Sequence, residues 1–90
     1  MSFKIKTTKQ FEKDVLKMQK RNKNVKKLLD VMDILIEIKP LDKKYKNHSL
    51  IGNYHDRMEC HIEPDWLLIY KIDSDTIIFE RTGTHSDLFK

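Results

Sequence analysis

Hydrophobic and polar residues follow regular periods over most of the chain. In the opening segment FKIKT, apolar and basic residues alternate, as in a half-buried strand. From residue 8 to about 21, apolar side chains recur at helical spacing on one face of an amphipathic helix. A second apolar stripe begins after Asn22 or Asn24, either of which can cap a helix. It ends near Ile38, because Pro40 disfavours helical geometry in the residue before it. The pattern predicts one strand followed by two helices.

The second half of the chain has the periods of a sheet. From Pro40 to about Tyr54 the sequence is polar and aperiodic, which predicts a loop long enough to have a functional role. The segment RMECHIE then alternates apolar and polar residues, WLLIYKI is apolar on both faces, and TIIFERT follows. Because the turns EPDW and DSD are too short for parallel crossovers, these three strands are expected to form an antiparallel meander.

These elements predict an α+β fold: a short N-terminal strand, two helices, then a three-stranded antiparallel meander. We expect the helices to pack on one face of a single sheet, leaving the other face open. Ninety residues predict a single domain, 1–90. The single cysteine, Cys60, excludes an internal disulfide. We see no signal peptide and no membrane span, which predicts a cytoplasmic protein without a membrane partner.

Positive charge is concentrated at the front of the chain. Residues 1–27 carry a net charge of +8 and residues 28–90 a net charge of −4, which together give +4. A basic surface attracts phosphate polymers, so Lys9, Lys13 and Lys17 of the first helix are candidates for RNA binding. A solvated helix face explains the same charges equally well.

Histidines offer the main candidate chemistry. They occur at positions 48, 55, 61 and 85. His61 lies on the polar face of its predicted strand, beside a turn that contains Asp65, and it can exchange a proton near neutral pH. A surface histidine without a role is the alternative. Cys60 and His61 are adjacent in a strand and point to opposite faces, so we expect no metal site and no cofactor.

Three further residues could contact a nucleic acid. Arg81 can bind a phosphate, or it can form an ion pair with Glu59 or Glu63 across the sheet. Trp66 and Phe89 can stack on bases, although aromatic residues in a small protein often belong to the core. Together with the histidines and Asp65, these groups suit metal-free RNA cleavage, which needs a base, an acid, positive charge and surfaces that hold the bases.

The segments HSLIGNY, CHIEPDWLLIYKI and ERTGTHSDLF resemble, in that order, the YafQ branch of the RelE/ParE superfamily, the toxins of bacterial type II toxin–antitoxin pairs. The resemblance spans residues 48 to 89, and the predicted layout fits this RelE-like fold. It implies an endoribonuclease that cleaves mRNA without a metal cofactor, typically on the translating ribosome. It also implies a cognate antitoxin protein as partner, with operator DNA bound only through the antitoxin complex.

The resemblance also implies roles for individual residues. His48, His61, Asp65 and His85 match the catalytic positions of the family, Arg81 its phosphate-binding arginine and Phe89 its stacking aromatic. We assign His85 as the general acid, and we place Asp65 and His61 around the attacking 2′-OH.

One departure from the family pattern leaves alternatives open. Relatives commonly have an arginine where this chain has Met58, and its Arg57 lies one position earlier, which is the opposite face of a strand unless a bulge shifts the register. Weaker activity or an altered sequence preference would follow. The alternatives are a non-enzymatic toxin like the gyrase-directed ParE branch, and a degenerate toxin that only binds its antitoxin or operator.

Overall fold

The computed structural model describes residues 1–50, 52 and 56–89. Its strands and helices follow in this order: β1 Lys4–Thr7, α1 Lys9–Lys20, α2 Val25–Ile36, a 3-10 helix Lys43–Tyr45, β2 His48–Ser49, β3 Met58–Glu63, β4 Trp66–Asp73, β5 Thr76–Gly83 and α3 His85–Leu88. The α+β class and the first strand, two helices and three-stranded meander predicted from the sequence are confirmed. Tyr54 and His55 lie outside the described residues.

The sheet is larger than the predicted meander. It has five strands in the order β1-β5-β4-β3-β2, and β1 pairs in parallel with β5 while the other neighbours are antiparallel. The parallel pair needs a long crossover, and α1 and α2 supply it. The sheet is therefore mixed, with the meander at its centre.

Local side chains set the ends of the two long helices. The Thr8 hydroxyl accepts a hydrogen bond from the amide of Phe11 and caps α1. Asn24 caps α2 through the amide of Lys26, whereas Asn22, with a φ of 61°, adopts the left-handed conformation in the turn before it. Of the two predicted caps, Asn24 is the one used. After Ile36, a left-handed Ile38 with a φ of 58° ends the second helix.

The main core lies between the sheet and the pair α1 and α2. It contains buried residues from both helices and from β3, β4 and β5: Phe11, Met18, Leu28, Val31, Leu35, Cys60, Ile62, Trp66, Leu68, Tyr70, Ile77 and Phe79. The predicted alternation in β3 is confirmed, because Cys60 and Ile62 enter this core and His61 points away from it. The core leaves the other face of the sheet available for polar groups.

The other face is partly covered, which corrects the prediction of an open face. Leu88 of α3 packs with Leu67 and Ile69 of β4, and Leu50 adds to this small cluster. The predicted loop from Pro40 also contains ordered elements, the 3-10 helix and β2, because Asp42 caps the former and β3 pairs with the latter. In the part of the chain that the structure describes, no helix has the length and apolar character needed to cross a membrane.

Candidate active site

Four rings form a row on the face of the sheet opposite α1 and α2. The ring centroids of His48 and His61 are 6.2 Å apart, those of His61 and His85 are 5.9 Å apart, and those of His85 and Phe89 are 6.3 Å apart. We call these four residues the ring row. The structure thus brings together three of the predicted catalytic histidines and the predicted stacking aromatic.

The four rings come from three parts of the chain. The pairing of β2 with β3 sets His48 opposite Glu59, and strand alternation sets His61 on the same face as Glu59. His85 and Phe89 lie at the two ends of α3, directly after β5. Short elements anchored on the central strands therefore hold groups that are far apart in sequence.

Glu59 lies beneath two of the rings. Its Oε1 atom is 3.3 Å from Nε2 of His48 and 3.4 Å from Nε2 of His61, and the residue is only 5% exposed. The Glu59 carboxylate thus contacts both imidazoles from the buried side. From the sequence, Glu59 is predicted only as a possible partner of Arg81. Its place two residues before His61 on the same strand face was the signal that it belongs to the site.

Asp65 is paired with His85. Its Oδ1 atom accepts hydrogen bonds from Nδ1 of His85 at 2.6 Å and from the backbone amide of His85 at 3.0 Å. These two bonds, the amide first, lower the pKa of Asp65. Because Asp65 accepts at Nδ1, the Nε2 atom of His85 is left for proton exchange with a ligand. The Asp65 carboxylate therefore orients His85 rather than His61.

Two hydrogen bonds hold the segment that carries His48. The Nδ1 atom of His48 bonds to the carbonyl of Lys46 at 2.6 Å, and the hydroxyl of Tyr70 donates to the side-chain oxygen of Asn47 at 2.7 Å. Burial raises the pKa of Tyr70 to about 12, so the hydroxyl remains a donor at neutral pH. His48 is thereby tied to the core through its neighbour.

Arg81 has a different partner from those predicted. Its Nε atom lies 2.8 Å from Oδ2 of Asp14, a residue of α1 that is 5% exposed and also accepts the amide of Thr82 at 3.1 Å. The predicted pairing with Glu59 or Glu63 is wrong, because Glu59 faces the histidines and Glu63 bonds to Lys23 and Lys27. Asp14 fixes the guanidinium of Arg81 at the end of β5, one strand from the ring row.

Trp66 does not reach the site surface. Its side chain is fully buried in the main core, and its indole nitrogen donates to the hydroxyl of Thr82 at 2.9 Å, which in turn donates to the carbonyl of Leu67 at 2.7 Å. The interpretation of Trp66 as a base-stacking residue is therefore wrong for this conformation. Phe89, by contrast, is 42% exposed beside His85.

Arg57 does not take the place of the usual arginine. Met58 packs against the main core, while the Nε atom of Arg57 bonds to Oε1 of Glu80 at 2.7 Å. The register shift in β3 lies between His61 and Glu63, C-terminal to Arg57, so it does not move Arg57 to the other face of the strand. Glu80 also raises the pKa of Arg57, first through this hydrogen bond.

The lysines of α1 lie on its exposed side. Lys9, Lys13 and Lys17 are exposed, and Lys17 reaches α3, where its Nζ atom is 3.2 Å from Oδ1 of Asp87. Since these residues are four positions apart, they form one row along the helix, and its last member ends near the helix that carries His85.

Cys60 takes no part in the site. It lies in the main core, where burial raises the pKa of its thiol to about 12, so it is neither a thiolate nucleophile nor a ready metal ligand at neutral pH. Among residues 1–50, 52 and 56–89, no three His, Cys, Asp or Glu side chains are grouped to hold a metal ion.

The α+β fold with its mixed sheet is shared with a bacterial toxin whose structure is solved in complex with its antitoxin. The profile of one family, described as the bacterial toxin of the type II toxin–antitoxin system, YafQ, matches residues 3–90. The chain belongs to this YafQ toxin family, which confirms the resemblance found in the sequence.

Similar proteins cover nearly the whole chain. The mRNA interferase toxin YafQ of Escherichia coli K12 is 47% identical over 81 residues, which are 89% of this chain and 88% of that protein. The crystal structure of YafQ from E. coli BL21(DE3) has a TM-score of 0.94 at 43% identity and covers 98% of this chain and 99% of its own. The toxin in the crystal structure of the E. coli DinJ–YafQ toxin–antitoxin complex has a TM-score of 0.92, also at 43% identity, with both chains fully covered.

Proposed function

We propose that this toxin is an endoribonuclease that cleaves mRNA, as its relative of the same family in E. coli is named to do. The observation that carries the proposal is the ring row with its two carboxylates, Glu59 and Asp65. Three histidines within ring-contact distance can divide the base and acid roles of phosphodiester cleavage. The nearby guanidinium of Arg81 suits the charge of a phosphate.

In the proposed reaction, a base of the site removes the proton of a ribose 2′-OH. The 2′-oxygen attacks the adjacent phosphorus, the bond from phosphorus to the 5′-oxygen breaks, and an acid protonates that leaving oxygen. Cleavage leaves a 2′,3′-cyclic phosphate and a free 5′-OH. We assign the acid role to His85, because Asp65 stabilises its imidazolium form and leaves Nε2 for the leaving oxygen.

His61 and His48 are proposed to act at the 2′-OH. Both rings lie next to Glu59, whose carboxylate stabilises the charge that a ring gains when it accepts a proton. Arg81 then stabilises negative charge on the phosphate, and Phe89 stacks on a neighbouring base. All four roles fall to side chains of this chain, so we propose that the reaction needs no metal ion.

The proposed partners follow from the family. The E. coli toxin of the same family is seen in complex with DinJ, its antitoxin, which supports a cognate antitoxin protein for this chain. We further propose that cleavage takes place on the translating ribosome, in the cytoplasm, and that operator DNA is bound only through the antitoxin complex.

The deciding experiment incubates the purified protein with RNA in EDTA, both free and in a translating extract, and maps the cut ends. Two variants of α3 accompany it: His85→Ala, and Ser86→Ala as the matched control at an exposed neighbouring position. We expect cyclic phosphate ends from the wild type and from Ser86→Ala, and no cleavage by His85→Ala. Full activity of a folded His85→Ala protein would remove His85 from the mechanism. Absence of cleavage by the wild type would favour a toxin that only binds.

A further inference from the structure

A cleft lined by His61 and by residues of α2 adjoins the ring row, and the proposed reaction does not use it. It has a volume of about 360 Å³ and opens beside His61, between the first half of α2, the 3-10 helix and the turn from β3 to β4. Its walls include Lys27, Lys44, Lys46 and Tyr45. We call it the lysine cleft. His61 is the residue that it shares with the ring row, so a chain lying over the row can continue into it.

The charge of the lysine cleft is positive. Two carboxylates, those of Asp30 and Glu63, line it, and each already forms ion pairs with lysines. Glu63 lies 3.2 Å from Lys23 and 3.0 Å from Lys27, and Asp30 lies 3.0 Å from Lys26. The two lysines, Lys27 first, lower the pKa of Glu63. The lining itself holds three lysines against two carboxylates, an excess of one positive charge, and Lys23 and Lys26 pair with those carboxylates from outside the cleft, which favours an anionic ligand.

The backbone that carries Lys44 and Lys46 is fixed in place. Asp42 caps the 3-10 helix by accepting the amide of Lys44 at 2.9 Å, and Tyr45 packs against the main core. Lys46 has left-handed backbone geometry, with φ 48° and ψ 48°, and its carbonyl bonds to the His48 ring at 2.6 Å. One rigid turn therefore positions both a ring of the site and the lysines of the cleft.

We propose that the lysine cleft binds the sugar–phosphate backbone of the RNA segment next to the scissile phosphate, on the His61 side. This inference rests on the proposed function, because it assigns a subsite for the same substrate. Lysine ammonium groups bind phosphates as point charges without reading the bases, so Lys27, Lys44 and Lys46 contribute affinity rather than sequence preference. Tyr45 supplies an apolar wall for the ribose.

The test measures binding of a single-stranded RNA oligonucleotide in which every 2′-OH is methylated. This probe lacks the nucleophile and cannot be cleaved. The variant carries Lys44→Ala and Lys46→Asn; asparagine is chosen because it tolerates the left-handed backbone. Lys6→Ala and Lys4→Ala together form the control, with the same loss of charge on β1 at the opposite edge of the sheet.

We expect the slope of log affinity against log salt concentration to fall by about 1.4 in the cleft variant, since each single-strand phosphate contact contributes about 0.7. With unmodified RNA, KM rises and kcat is retained. A slope equal to that of the wild type, or an equal fall in the β1 control, overturns the inference. Because the methylated probe is never cut, the measured salt slope does not depend on cleavage. A wild-type protein that binds the probe but cuts no RNA would contradict the proposed function and leave the binding inference standing.

Discussion

At the scale of single residues, Glu59 is the group whose role depends most on burial. Its carboxylate lies within 3.4 Å of two histidine nitrogens and is 5% exposed. Charges interact more strongly where water is excluded, so this carboxylate influences both rings more than an exposed one would. Its neighbour on the same strand, Glu63, is instead bonded to Lys23 and Lys27. Of these two glutamates, only Glu59 places its negative charge next to the histidines, and Glu63 is paired with lysines.

We predict that Glu59→Gln lowers the single-turnover rate at saturating RNA by about a hundredfold, the lower end of what a positioned acid–base group contributes. The amide keeps the shape of the side chain but removes the charge that stabilises an imidazolium. Glu63→Gln is the control, and its rate at saturation should equal that of the wild type. Quench-flow measurement of RNA cleavage gives both rates, and equal rates for the two variants would exclude Glu59 from the chemistry.

Substitutions at Trp66 and at Phe89 should have opposite effects: the first on stability, the second on RNA binding. We expect Trp66→Phe to lower the free energy of unfolding by about 1 to 3 kcal/mol, because the buried bond to Thr82 and part of the packing are lost. The RNA affinity of the folded Trp66→Phe variant should be unchanged.

Phe89→Ala should leave the free energy of unfolding nearly constant and weaken RNA binding by about 1 to 3 kcal/mol. Urea unfolding and RNA titration of both variants measure the four quantities, and weaker RNA binding by a stable Trp66→Phe protein would contradict the core assignment.

At the scale of elements, α3 is too short to be stable alone and depends on side chains around it. Thr84 and Asp87 form a capping box, and the Asp87 carboxylate also bonds Arg21 at 2.8 Å and Lys17 at 3.2 Å, both from α1. A Cβ atom at Gly83 would approach the Asp87 side chain to 3.0 Å, so a larger residue there would require Asp87 to shift by a few tenths of an ångström. Asp87 thus fixes the helix that carries His85 to α1.

The pH dependence of this link follows from the pKa of Asp87. Bonds from Arg21 above all, and from Thr84 and Lys17, hold this pKa well below its ordinary range. The folded protein therefore binds the Asp87 proton less readily than the unfolded chain does. The stabilisation is complete above the ordinary carboxyl pKa of about 4 and is lost as the pH falls below it.

We predict that Asp87→Asn destabilises the protein at neutral pH and that the difference from the wild type shrinks only as the pH falls below about 4, toward the lowered pKa of Asp87 in the folded protein. Urea unfolding across this pH range measures it. Asp75→Asn is the control and should show little change, because the exposed Asp75 side chain pairs only with the exposed Lys4 and accepts the neighbouring Thr76 hydroxyl. A difference that stays constant with pH would mean that the shape of the cap matters and its charge does not.

The sequence predicts an element well when a local pattern determines it, and poorly when the element forms only through contacts with distant residues. The periods of α1, α2, β3, β4 and β5 are local, and their predicted positions are close to the observed ones. The parallel pairing of β1 with β5 depends on residues more than 70 positions apart, such as Ile5 and Ile77, and no local pattern indicates it. The strand β2 has two residues and exists because β3 offers an edge, so it too was missed.

The same reasoning applies to the site. The resemblance supplied His48, His61, Asp65 and His85, and the structure brings them together. The partner of each was not predictable, because pairing requires distances across the fold. The pairs Arg81 with Asp14 and Asp65 with His85 are 67 and 20 positions apart in sequence. Burial of Trp66 was equally hidden, since an aromatic residue next to a turn fits both a core and a surface role.

At the scale of the whole molecule, positive charge and chemistry come from different ends of the chain. Residues 1–27 carry a net charge of +8, while the ring row belongs to the acidic remainder. Folding joins them at one place, because Lys17 and Arg21 of α1 contact Asp87 of α3. The basic row on α1 therefore leads toward the helix that carries His85, and we expect an RNA chain drawn to that row to arrive near the site.

We predict that the double variant Lys9→Glu, Lys13→Glu reduces the slope of log RNA affinity against log salt concentration by at least about 1.4, since two phosphate contacts at about 0.7 each are lost. Both residues are exposed on α1 and have no role in the proposed proton transfers, so the single-turnover rate at saturating RNA should stay within about twofold of the wild type. Lys4→Glu, Lys6→Glu on β1 is the control, because it changes the net charge equally without touching the helix. Fluorescence anisotropy with the methylated RNA at several salt concentrations gives the slopes. An equal change in both double variants would mean that RNA responds to net charge alone, and the row on α1 would then be a solvated helix face.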